Sequence, residues 1–123
     1  MDKTKNKCLC GTAGYIVLSC SGASDVGEIA DQVARKLSTQ SIRKMSCLAV
    51  AGAGIEKSIA SFKKKNILII DGCPIDCGKR IMHKSGIDEY AHLRITDLGY
   101  QKGKTGVSSL VVDKIFEQAQ FML

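Results

Sequence analysis

The sequence predicts an α/β fold: one three-layer domain on a four-stranded, mainly parallel sheet with strand order 2-1-3-4. Three observations predict it. Apolar runs alternate with helical stripes four times along the chain, the pattern of a parallel sheet with helices on both faces. The first and third runs are uniformly apolar and belong at the centre, whereas the fourth alternates and belongs at an edge. Right-handed crossovers then leave few topologies. The predicted architecture is Rossmann-like, with its switch point between strands one and three, where α/β sheets bind ligands outside their carboxyl ends.

Tyr15-Ile-Val-Leu-Ser19 reads as the first buried strand, ending at Cys20-Ser-Gly. Val26, Ile29, Ala30, Val33, Ala34 and Leu37 then form a helical stripe. Asp25 and Glu28 fit the N-cap and its back-reaching partner. A second strand is expected near Arg43-Lys-Met-Ser-Cys-Leu48, with "AVAGAG" at 49–54 either extending it or forming a small-residue loop. Ile55, Ile59 and Phe62 mark a second helix whose last turn is expected at Lys63 to Lys65. Asn66 to Ile70 is the third strand. Pro74 suits a first helical position, which would make Cys73 the N-cap of a third helix, and Gly86 suits its stop. Ala91 to Thr96 alternates as a half-exposed fourth strand. "DLGYQKGKTGV" at 97–107 is a Gly- and Lys-rich loop before a final helix marked by Val112, Ile115, Phe116, Ala119 and Met122. The expected organisation is an N-terminal segment, residues 1–14, carrying Cys8-Leu-Cys10, and a single domain over residues 15–123.

At 123 residues the chain is long enough to bury a core of its own. No apolar run reaches the ~18 residues of a membrane span. The start, MDKTKNKC, is polar and no apolar stretch follows it, so no signal peptide and a cytoplasmic location are expected. The net charge is +6, but basic residues are not interleaved with aromatics on one face, so neither nucleic acid nor membrane is an expected partner. A basic surface does suit a small anionic ligand.

Six cysteines in a reducing compartment point to metal binding or thiol chemistry before structural disulfides. The plainer alternative is that some are small buried hydrophobes. Topology argues against packing alone. Cys20 ends strand one, Cys73 ends strand three, and Cys77 would follow one helical turn on, all at the carboxyl edge of the switch point. Cys47 joins them only if strand two stops near residues 47–48 and "AVAGAG" is loop. If the strand ran on to Ala51, Cys47 would lie roughly 13 Å below the edge. Cys73 and Cys77 are expected to form the pre-organised pair, with Cys47 the weakest member. Four thiols in one place match a structural zinc site or an iron–sulfur cluster. Helix N-termini aimed at the site would lower the thiol pKa values, and Lys79 and Arg80 could offset the negative charge. His83 and His92 read as surface histidines, and Cys8 and Cys10 as tail residues or extra ligands.

"CSGASDVG" at 20–27 has a second reading. A cysteine at a strand end, followed by small and hydroxyl residues and a helix start, is how a phosphocysteine loop is built, with Cys20 as nucleophile. Lys102 and Lys104 would then sit on an anion-attracting lid. Position 26 holds Val, which excludes the tyrosine-phosphatase loop.

Taken together, "CSGASDVG", "KMSCLA" and "DGCPIDCGKR" resemble the DGC-domain family, described as candidate zinc-binding proteins of bacteria and archaea. The resemblance covers roughly residues 15 to 99. It implies that Cys20, Cys47, Cys73 and Cys77 are metal ligands, with zinc as the metal. It implies no particular reaction.

Overall fold

The computed structural model describes residues 14–122. The elements run β1 Tyr15–Ser19, α1 Asp25–Thr39, β2 Lys44–Met45, α2 Leu48–Gly52, α3 Glu56–Phe62, β3 Asn66–Asp71, α4 Cys77–Lys84, β4 Ala91–Arg94, a 3₁₀ turn Ile95–Leu98 and α5 Ser109–Ala119. The four strands form one sheet of order β2-β1-β3-β4, and every pairing is parallel. Both the fold class and the strand order expected from the sequence are therefore present.

Successive residues of a strand face opposite sides, and both sides are covered here. Val17, Leu68 and Ile70 face α1 and α5, in a core with Val26, Ile29, Val33, Leu37, Val112 and Ile115. Ile16, Leu18, Ile67 and Ile69 face the other way, onto Leu48, Ala51, Phe62, Met82 and Ile87 from α2, α3, α4 and the loop after it. Three layers result, and the central strands read as continuous apolar runs because neither face meets water.

The boundaries differ from expectation where local hydrogen bonding decides them. Ser24, not Asp25, caps α1, its hydroxyl accepting the Gly27 N–H. Asp25 is thereby freed for another task. β2 is two residues long, and "AVAGAG" neither extends the strand nor forms a loop, because residues 48–52 are helical. α3 ends at Phe62, before the lysines. The third helix starts at Cys77, not Pro74. Pro74 instead occupies a turn closed by the Asp76 N–H to the Cys73 carbonyl at 3.0 Å. Cys73 is therefore not an N-cap and does not share a helical turn with Cys77. Gly86 does stop α4. It takes φ +73°, and the Gly86 and Ile87 N–H groups donate back to His83 and Met82, a Schellman closure. No helix among the described residues is long and apolar enough to cross a membrane.

Candidate metal centre

The carboxyl edge of the sheet is where the candidate residues meet. Cys20 follows β1, and its N–H still bonds the Ile70 carbonyl at 3.1 Å, keeping it in register beside β3. Cys47 lies just past the short β2, as the N-cap of α2; the strand ends earlier than expected and a helix rather than a loop follows, and Cys47 lines a cavity at this edge with Cys20 and Cys77. Cys73 sits in the turn after β3, and Cys77 is the first residue of α4. All four are free thiols. Cys20, Cys47 and Cys77 line a cavity of about 820 Å³ between α1, the β2–α2 connection and α4. Cys20, Cys73 and Cys77 line a neighbouring one of about 310 Å³. Cys20 and Cys77 thus stand between the two, with Cys47 on one side and Cys73 on the other. Among the described residues, no three of these sulfurs fall within 4.8 Å of one another. Cys8 and Cys10 lie outside the described residues.

The DGCPIDCG stretch explains how the edge is held. Asp71 is 1% exposed, yet both carboxylate oxygens are satisfied. One accepts the Gly78 N–H at 2.7 Å, the other the Lys79 N–H at 3.1 Å and His92 Nε2 at 2.9 Å. Asp71 therefore caps α4 from the end of β3, in place of a side chain from the preceding residue. Two glycines permit the close approach. A Cβ on Gly78 would stand 2.6 Å from Ile69 Cγ2, and one on Gly72 would stand 2.8 Å from the backbone of Val26. Between them, Asp76 takes a left-handed conformation, φ 57°. Its carboxylate is gripped by Arg94 through Nε at 2.8 Å and through a second guanidinium nitrogen. That pairing holds the Asp76 carboxyl below the usual carboxylate range.

Asp71, Asp76 and His92 bring ligand atoms within 4.8 Å of one another, which makes them a second candidate metal site. Their hydrogen bonds argue for a different role. Both Asp76 oxygens are spent on a bidentate arginine, and both Asp71 oxygens on backbone N–H groups of α4. A cation placed there would stand beside the Arg94 guanidinium. The trio is better described as a latch that fixes the α4 N-terminus, and with it Cys77. His92 is correspondingly not a surface histidine, since its side chain is 17% exposed and bonded to Asp71. The alternation that placed His92 and Arg94 on one face of β4 was visible, but not that this face meets Asp71 and Asp76.

Electrostatics separates the thiols. Burial pushes the Cys20 thiol up, against the lowering effect of the Gly22 and Gly72 N–H groups, and the nearby charges of Asp71 and Cys77 push it further. This is opposite to the lowering expected from helix N-termini. It disfavours a free thiolate nucleophile at Cys20 and suits a sulfur that ionises when it binds a cation. Of the two cations expected to offset the site's charge, Arg80 Nε donates to the Ile75 carbonyl at 2.5 Å and the Lys79 charge acts on Asp76. Lys102 Nζ instead lies 3.6 Å from Cys73 Sγ, and the Arg35 guanidinium lies near Cys47.

Comparison with known proteins agrees with the motif-based resemblance. The chain is 30% identical over 88 residues to the anaerobic and virulence modulator AnvM of Pseudomonas aeruginosa, spanning 71% of this chain and 67% of that protein. No solved structure matches it. The profile of the DGC domain matches residues 16–119, nearly the whole of the described fold. The chain belongs to the DGC domain family.

Proposed function

We propose that this protein binds a metal ion, zinc in the first place, through Cys20, Cys47, Cys73 and Cys77. The observation that carries the reading is the placement of four free thiols, from the three chain segments that follow β1, β2 and β3, around two adjoining cavities at one sheet edge. Packing accounts for part of it, since Cys20 and Cys73 touch the core beneath, but not for the exposed thiols of Cys47 and Cys77. The donor set fits a soft cation. Thiolates suit zinc, with an iron–sulfur cluster as the alternative. Backbone N–H groups at Cys20 and cations beside Cys73 and Cys47 are the surroundings that stabilise metal-bound sulfur. Binding requires the loops to draw in, since Zn–S bonds of ~2.3 Å bring ligand sulfurs to within about 4 Å of each other.

When bound, the metal would cross-link the segments that follow β1, β2 and β3. Four thiolates would leave no open position for water, so no hydrolytic activity is expected. The alternative of a thiol enzyme with Cys20 as nucleophile is weaker, because burial and the neighbouring negative charges keep that thiol protonated.

Elemental analysis of protein from unsupplemented cells tests the reading. The expected content is about one zinc per chain, as for a tetrathiolate site, falling well below half in each of Cys20→Ser, Cys47→Ser, Cys73→Ser and Cys77→Ser. With β2 ending at Met45, Cys47 has no reason to be the weakest ligand. Wild-type protein with negligible metal and four freely titrating thiols would refute the proposal.

A further inference from the structure

We propose that residues 101–105 form a lid on the thiol site, latched by Asp25, and that Lys102 on this lid slows the escape of bound metal. The inference rests on the metal reading above and adds a control element to it.

The lid is a built structure. The Gln101 N–H donates to Thr105 Oγ1 at 3.0 Å, and the Thr105 hydroxyl donates back to the Gln101 carbonyl at 2.8 Å. The Lys104 N–H bonds the same carbonyl at 3.1 Å, and Gly103 takes φ +85°, which favours glycine. Asp25, freed from capping by Ser24, anchors this turn across the molecule. Its Oδ1 accepts the Gly103 N–H at 2.8 Å and its Oδ2 accepts the Thr105 N–H at 2.9 Å. These two bonds hold the carboxyl of Asp25 below the usual carboxylate range, so the latch is ionised at neutral pH. Asp25 opens α1, directly after the loop that carries Cys20.

The latch positions a charge. Lys102 lies between Gln101 and the latched Gly103, and its ammonium reaches Cys73 Sγ at 3.6 Å. It lines the cavity that Cys20, Cys73 and Cys77 share. A surface lysine without such a task would extend into water. Zinc with four thiolates carries a net charge of −2, and an ammonium beside one sulfur offsets part of it.

The experiment uses zinc-loaded full-length protein and follows transfer of zinc to a chromophoric chelator, alongside amide hydrogen exchange. Asp25→Asn is expected to speed exchange at Gly103 and Thr105 and to speed zinc release about tenfold, the effect of losing a charge-assisted hydrogen bond. Lys102→Gln should speed release to a similar degree while leaving those amides protected. Lys102→Arg, which keeps the charge, should release zinc at close to the wild-type rate. If wild type holds zinc but all three variants release it at the wild-type rate, the lid proposal is overturned and the metal site stands. If wild type holds no zinc, both fall together.

Discussion

Arg43 shows how one residue can serve the fold against its own chemistry. It is a charged side chain only 2% exposed, and burial lowers its pKa from the ordinary arginine value. Its guanidinium donates to the carbonyls of Ile16 at 2.9 Å, Asn66 at 3.1 Å and Met122 at 3.0 Å, and lies 5.4 Å from the Tyr15 ring centre. One planar fork therefore joins the amino ends of β1 and β3 to the chain after α5. Arg43→Met keeps much of the apolar stem but removes three charge-assisted hydrogen bonds to carbonyls. It is expected to cost about 3 kcal/mol, read as a lower urea midpoint at unchanged slope. A loss under 1 kcal/mol would mean that water replaces the guanidinium without penalty.

At the scale of the element, α4 is the piece on which the site depends. It is eight residues long, and its cap comes from Asp71 on a neighbouring strand rather than from its own N-cap residue. Asp71→Ala should cost about 2 kcal/mol, because the Gly78 and Lys79 N–H groups and His92 all lose their acceptor in a buried place. Asp71→Asn keeps one acceptor oxygen and should fall between alanine and wild type. Chemical denaturation of the three proteins gives the ranking. Equal stability of Asp71→Ala and wild type would show that α4 is held by Met82 and its apolar neighbours alone. The Asp76–Arg94 pair then sets the direction in which the capped helix begins, and Cys77 is its first residue.

At the scale of the whole molecule, the site and the fold are separable. Two apolar cores, one on each face of the sheet, are built without any of the four thiols being fully buried. Zinc fingers lack such cores and unfold without metal. Treatment of this protein with a strong chelator is therefore expected to leave its far-UV circular dichroism within about a tenth of the starting signal, and to lower its melting temperature by only the linkage contribution of the lost ligand. Loss of the helical signal on chelation would make the metal a folding element and contradict this.

The sequence by itself determined the alternation of strands and helices, the order 2-1-3-4 and the edge at which Cys20, Cys73 and Cys77 emerge. Those follow from hydrophobic periodicity and crossover handedness, which are properties of short windows and of chain connectivity. It also carried the motifs that mark the family. Only the tertiary structure decided that Pro74 turns the chain before a helix beginning at Cys77, because the acceptor that caps this helix lies on β3. Only it decided that Asp25 holds a loop 78 residues away, and that His92 and Arg94 turn their polar face onto Asp71 and Asp76. Each of these is a hydrogen bond between distant segments. The sequence states which side chains can make such bonds, but their partners are set only once the sheet has brought the segments together.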